Sequence, residues 1–173
     1  MKKVLFVFMV VMIALTLSWV FGQTPTYVGA AKCKICHQTE KQGQQYPIWE
    51  KSSHSQSAAV LSTDKAKPIA QQAGVQDPTT DSKCLQCHSP LFEKAPEIKG
   101  EGVTCEVCHG PGSEYKKLSV MKSKEESAKN GLIFLANPEA IKTWCLTCHE
   151  KGHGKPFDFA ASWEKIKHTV PAK

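Results

Sequence analysis

The sequence predicts a mostly α-helical fold of short helices and long loops, with little or no β-structure. Signals for the start of a helix recur along the chain. Ser123 is followed three residues later by Glu126, which is the pattern of a capping box. Asn137 stands directly before Pro138, and Asp158 precedes the last apolar stretch, so each can cap a further helix. No segment alternates apolar and polar residues for long enough to predict a strand.

Two helices are also predicted in the first half of the chain. The first spans Tyr46 to Leu61, with Pro47 in its opening turn. The second spans Asp64 to Ala73 and contains Pro68. Further along, Ser113 is a candidate N-cap for another helix.

The N-terminus has the pattern of a secretory signal peptide. Two lysines precede an apolar run from Val4 to Val20, and Gly22 follows as a small residue near the expected cleavage point. We therefore expect residues 1–22 to be a signal peptide and residues 23–173 to form one domain. Because the apolar run approaches the length that spans a bilayer, its retention as a membrane anchor is the alternative.

All eight cysteines of the chain fall into four copies of one motif, Cys-x-x-Cys-His. Two thiols three positions apart can form thioethers with the two vinyl groups of one haem, while the adjacent histidine offers its imidazole to the iron. Each motif is therefore predicted to bind one haem c covalently, which gives four haems. The motifs consist of Cys33, Cys36 and His37; Cys84, Cys87 and His88; Cys105, Cys108 and His109; and Cys145, Cys148 and His149.

Paired cysteines also occur in disulfide frameworks and in zinc sites, which are the competing interpretations. Neither explains why a histidine follows the second cysteine every time in a chain with seven histidines. A short chain wrapped around four haems has little room for an apolar core, so the fold is predicted to be haem-templated. The second and third motifs are the closest in sequence and are expected to be neighbours.

A haem iron has two axial positions, and the motif histidine fills one of them. His54 and His168 lie in predicted helices that also carry a tryptophan, and both are predicted distal ligands. His153 lies between two glycines, where a mobile surface histidine is the competing interpretation. Met121 is a candidate thioether ligand, although a helical methionine more often packs in a core. These three histidines cannot saturate four irons.

Three segments of the chain resemble a family of tetrahaem cytochromes, namely Cys105 to Gly112 (CEVCHGPG), Trp49 to His54, and the late His168. The best-known member of that family accepts electrons from hydroxylamine oxidoreductase in ammonia-oxidising bacteria. The resemblance covers most of the chain after residue 22. It implies three bis-histidine haems, with His54 and His168 as distal ligands, and an open position at the iron held by His88.

The chain departs from this family at one point. The family has a further distal histidine shortly after the Gly-Pro-Gly sequence, whereas residues 113–121 contain none. Either Met121 replaces it, His153 compensates for it, or a second iron has an open position. Which distal residue binds which iron does not follow from the spacing.

These features predict an exported tetrahaem electron carrier, in which electrons pass between closely packed haems on their way between redox partner proteins. The formal net charge of +6 at pH 7 is spread along the chain, which can aid docking on an acidic redox partner and does not support nucleic-acid binding. The expected location is the periplasm, without a stable membrane span once the signal is cleaved.

Two other functions are alternatives. An iron with an open position would allow the reduction of a small nitrogen oxide, although no set of proton-donating residues marks a catalytic site. An exposed histidine that binds the haem of a neighbouring molecule would make the chain an oligomer, as a subunit of an extracellular cytochrome filament.

Overall fold

The computed structural model describes residues 24–150, 152 and 156–168. These residues form nine α-helices, three 3-10 helices and no strand, which confirms the predicted helical fold. None of these helices combines the length and the apolar character needed to cross a membrane. The predicted signal peptide at residues 1–22 and the candidate ligand His153 lie outside the described residues. The α-helices are α1 (Ala30–His37), α2 (Gln45–Glu50), α3 (Ala66–Gln72), α4 (Ser82–His88), α5 (Cys105–His109), α6 (Leu118–Met121), α7 (Lys124–Lys129), α8 (Pro138–His149) and α9 (Phe159–Ile166), and the 3-10 helices are Glu40–Gln42, Ala59–Ser62 and Pro96–Glu101.

Three of the predicted helix starts are confirmed by side-chain caps. At the start of α7, the hydroxyl of Ser123 accepts a hydrogen bond from the amide of Glu126 at 3.2 Å. The side chains of Asn137 and Asp158 accept the same kind of bond at the starts of α8 and α9, at 2.9 and 3.0 Å. Each cap satisfies an amide that has no acceptor within its own helix.

The helix predicted from Tyr46 to Leu61 is wrong in its extent. The helix that forms, α2, ends at Glu50, and a separate 3-10 helix follows at Ala59–Ser62. The hydroxyls of Ser52 and Ser55 donate to backbone carbonyls of α2 at 2.7 and 2.8 Å. Serine side chains that bond to nearby carbonyls compete with the helical hydrogen-bond ladder. His54 therefore lies on a turn and not in a helix.

Ser113 does not cap a helix, because the next helix, α6, begins only at Leu118. Instead, the hydroxyl of Ser113 accepts the amide of Thr26 at 2.9 Å, and its amide donates to the carbonyl of Thr26 at 3.0 Å. This pair draws the chain before α1 towards the chain after α5. The helix predicted around Pro68 is confirmed as α3, where the proline lies in the first turn and removes no helical hydrogen bond.

Few large apolar side chains are buried in the described residues. Leu85 is 2 % exposed, whereas Ile35 in the first motif and Leu118 in α6 are 70 % and 67 % exposed. A core this small agrees with the prediction that much of the apolar interior is porphyrin. The other buried apolar residues are Ala30, Leu61, Ala70, Val75, Leu91, Ala95 and Tyr115.

Candidate functional site

Each Cys-x-x-Cys-His motif lies at the end of a helix, and the motif histidine is the last residue of that helix. This holds for α1, α4, α5 and α8. Residues three positions apart in a helix share a face, with about 5–6 Å between their Cβ atoms. Both thiols of a motif therefore lie on one side of the helix, next to an imidazole at its end. Covalent attachment of one haem needs this set of groups.

All eight cysteines are free thiols, so the structure does not support a disulfide framework. In the part of the chain that the structure describes, no group of three or more histidine, cysteine, aspartate or glutamate side chains is arranged to hold a metal ion. The two competing interpretations of the cysteine pairs thus find no support in this geometry.

Two histidines from outside the motifs lie opposite motif histidines. The ring centres of His54 and His149 are 6.1 Å apart, and those of His109 and His168 are 6.0 Å apart. When a metal lies between two imidazoles, the distance between the ring centres is the sum of two metal–nitrogen bonds of about 2 Å each and half the width of each ring. The observed separations match this requirement. The residues at the third and fourth motifs therefore fit a haem with two axial histidines.

The pKa values of three of these imidazoles, those of His54, His109 and His149, are lowered, which favours their neutral form. Burial, together with the nearby His168, lowers the pKa of His109 to about 4. Burial also lowers the pKa of His54 and of His149, and His149 adds to the effect on His54. Neutral imidazole is the form that binds a metal, so the environment favours ligation.

Hydrogen bonds orient the motif histidines of the first two sites. Nδ1 of His88 lies 2.8 Å from the carbonyl oxygen of Ser57, and Nδ1 of His37 lies 3.3 Å from the side-chain oxygen of Gln45. A bond at Nδ1 fixes the ring and leaves Nε2 for the metal. Both rings are therefore oriented as metal ligands by residues outside the motifs.

The first and third motifs are joined around Glu106, the residue that follows Cys105. Glu106 is 1 % exposed. Its carboxylate accepts the amide of Val28 at 3.0 Å on each oxygen, the amide of Gly29 at 2.8 Å and that of Gly112 at 2.6 Å. We call these four residues, Glu106, Val28, Gly29 and Gly112, the Glu106 junction. It ties the chain that enters α1 to α5 and to the Gly-Pro-Gly sequence after it.

Thiol contacts place the third motif beside two others. Cys33 and Cys105 are neighbours, and the interaction between their thiols, together with burial, raises the pKa of the Cys33 thiol. Cys108 lies near Cys145 and Trp144, and burial is the main cause that raises the pKa of the Cys108 thiol to about 11. The third motif therefore contacts both the first and the fourth.

A second junction forms around Ser57. Its hydroxyl lies 2.7 Å from the carbonyl oxygen of His54 and 2.8 Å from that of His88, and it accepts the amide of Val103 at 2.9 Å. We call Ser57, His54, His88 and Val103 the Ser57 junction. It links the histidine of the second motif to the turn that carries His54, opposite the fourth motif. At Gly102 the φ angle is +71°, and a Cβ atom would lie 2.7 Å from the His54 carbonyl oxygen, so this position requires glycine.

The structure thus pairs His54 and His168 with particular motif histidines, which the spacing could not do. Met121 ends α6, which packs against α7. Sequence reasoning missed Glu106, Ser57 and Gln45. The sequence signal for Glu106 was its place between two haem-binding cysteines. Ser57 and Gln45 had no such signal.

Comparison with known proteins shows a similarity to one family of cytochromes over part of the chain. The family model described as cytochrome c554 and c-prime matches residues 32–110. Cytochrome c-554 from Nitrosomonas europaea is 26 % identical over 164 residues, which cover 85 % of this chain and 68 % of that protein. The solved structure of the reduced state of cytochrome c554 from Nitrosomonas europaea is similar with a TM-score of 0.54 and 25 % identity, covering 79 % of this chain and 71 % of the other.

Proposed function

We infer that this relative of the cytochrome c554 family, a multihaem c-type cytochrome of electron transfer, binds four haems and carries electrons between redox partners outside the cytoplasm. The observation that carries the proposal is the combination of four helix-terminal motifs with two histidine pairs at 6.1 and 6.0 Å. Bound haem supplies one-electron chemistry, and two axial imidazoles saturate its iron. The cysteines of the chain would attach the haems, and hydrogen bonds at His37 and His88 would orient these two ligands.

The ligand assignments follow from the pairing. Each motif cysteine would form one thioether, and His37, His88, His109 and His149 would each provide the first axial ligand. His54 is the proposed second ligand at the iron of His149, and His168 is the proposed second ligand at the iron of His109. The contacts of the two histidine rings, at bis-imidazole separation, support both assignments.

The irons of the first two motifs take any second ligand from outside these pairs. Met121 and His153 are the proposed sources, and an iron that receives neither keeps an open position. The similarity to the cytochrome family favours the iron of His88 for such a position. Because residues 113–121 lack the further histidine of that family, the iron of His37 is a second candidate for an open position.

Export is proposed from the signal-like sequence of residues 1–22, with residues 23–173 as a periplasmic domain. The positive net charge suits docking on an acidic redox partner. Mass measurement of the exported product is the test. A mature protein that begins near Gln23 supports export with cleavage, and a full-length product in the membrane fraction contradicts it.

Paramagnetic resonance of the oxidised protein tests the ligand assignments. The variants His54→Ala and His168→Ala should each convert one low-spin iron to high spin, because each removes one axial imidazole. Gln56→Ala, at an exposed position on the same turn as His54, is the matched control and should leave the spectrum unchanged. A low-spin count that is the same in both histidine variants and the wild type would contradict the assignments.

A second candidate function is the reduction of a small nitrogen oxide at an iron with an open position. It is favoured by one observation, namely that the seven histidines of the chain cannot fill the eight axial positions of four irons. Nitric oxide and carbon monoxide should then bind to the reduced protein, and a multiple-turnover assay should show consumption of the nitrogen oxide. Absence of ligand binding would exclude this function.

A further inference from the structure

Glu106 is a buried charge whose partners are backbone amides. It is 1 % exposed, and its hydrogen bonds come from the amides of Val28, Gly29 and Gly112. A protonated carboxyl carries an O–H that needs an acceptor, so a carboxyl surrounded by donors is in its ionised form. The four ion pairs of the described residues all involve other acidic side chains. Amide dipoles, and not a lysine, therefore stabilise this negative charge.

The charge lies between haem attachment sites. Glu106 stands between Cys105 and Cys108 of the third motif. It also accepts a hydrogen bond from the amide of Gly29, the residue before α1. Helix α1 carries Cys33, which is a neighbour of Cys105. A haem on the first motif and a haem on the third would therefore both have this carboxylate close by.

We propose that Glu106 sets the reduction potentials of the first and third haems, in addition to holding their attachment sites together. The inference rests on the proposed function, because it requires haems at both motifs. A fixed negative charge in a poorly screened interior stabilises the ferric form, which has one more positive charge than the ferrous form. Glu106 therefore lowers both potentials, and its neutralisation makes each of these irons easier to reduce by one electron from a donor.

The chain offers a graded control in Glu101. Its carboxylate accepts the amide of Ala30 at 2.7 Å and the hydroxyl of Thr104 at 3.1 Å, so it also lies at the start of α1. Glu101 is partly exposed, whereas Glu106 is fully buried. Because solvent and salt screen an exposed charge more than a buried one, Glu101 should affect the potentials less. Glu125, exposed in α7, serves as the distant control.

The test is a spectroelectrochemical titration of the four-haem protein and its variants. In Glu106→Gln, the reduction potentials of two of the four haems should rise by about 59 mV. For a one-electron couple, this corresponds to a tenfold change in the ratio of reduced to oxidised iron. Glu101→Gln should give a smaller upward shift in the same haems, and Glu125→Gln none. Glu106→Asp keeps the charge and should retain the wild-type potentials, although its shorter side chain lowers stability.

Unchanged potentials in a folded Glu106→Gln protein with four haems would overturn the inference, and so would an equal shift in Glu106→Asp. If Glu106→Gln does not accumulate, Glu101→Gln decides, since unchanged potentials there also contradict the proposal. A purely structural role would change the melting temperature of these variants and leave the potentials in place. A wild-type protein with fewer than four haems would contradict the proposed function instead.

Discussion

The Glu106 junction joins the third motif to the chain that enters the first, and the Ser57 junction joins the second motif to the turn that carries His54, but the two do so with different chemistry. Glu106 is a buried anion that accepts hydrogen bonds from amides. Ser57 is a neutral residue whose hydroxyl donates towards two carbonyls and accepts from one amide. A neutral residue is thus sufficient to hold a motif to a distant segment of the chain. The charge at the other junction adds an effect on redox potential that packing alone does not require.

The largest expected effect comes from Glu106→Leu. The variant leaves the amides of Val28, Gly29 and Gly112 without their acceptor. Each buried, unsatisfied amide costs about 1–3 kcal/mol, so the free energy of unfolding should fall by several kcal/mol. Thermal melting of the haem-loaded protein measures the change. A loss below about 1 kcal/mol would mean that water or other groups replace the carboxylate.

The next effect is expected at Gly102, which borders the Ser57 junction. Gly102→Ala should destabilise the protein more than Gly74→Ala. Both glycines have positive φ angles, +71° and +68°, but a Cβ atom at Gly102 would collide with the His54 carbonyl oxygen, whereas one at Gly74 has nothing within 4 Å. Backbone strain alone costs about 1–2 kcal/mol. Equal melting temperatures for the two variants would show that the Ser57 junction accommodates the added Cβ atom without loss of stability.

A smaller effect is expected from Ser57→Ala. The variant removes the hydroxyl that accepts the Val103 amide, but this amide also donates to the His54 carbonyl at 3.1 Å. The expected loss is about 1–2 kcal/mol in denaturant unfolding, and the four potentials should stay at wild-type values. A potential shift as large as that of Glu106→Gln would remove the proposed difference between the two junctions.

The smallest effect is expected from Tyr115→Phe, which changes a residue beside the Glu106 junction. The hydroxyl of this buried tyrosine donates to the carbonyl of Gly110 at 2.9 Å. Loss of one neutral hydrogen bond should cost about 1 kcal/mol and should not move any potential, because no charge is removed. Melting and redox titration of the same sample check both statements, and a changed potential would contradict the second.

Local signals in the sequence predicted local features well. The four motifs and the caps at Ser123, Asn137 and Asp158 depend on residues within a few positions of each other, and the structure has these caps as expected. The helix through His54 was wrong because serine side chains compete with the helical ladder over a span where the pattern alone favoured a helix.

Features that depend on distant parts of the chain had no such signal. Glu106 binds the amide of Gly29, 77 residues away, and Ser57 contacts His88, 31 residues away. Backbone amides are present at every position, so no residue type marks them as partners of a buried side chain. The same holds for the histidine pairs. His54 and His168 stood out as candidates, but the motif that each one faces depends on the fold.

The most direct test of the account is the intact mass of the exported protein after denaturation. Four haems bound through thioethers remain attached when the fold is lost, so the mass should exceed that of the polypeptide by four haem units. A mass equal to the bare polypeptide, or to the polypeptide with zinc, would contradict the central claim that every Cys-x-x-Cys-His motif carries a haem.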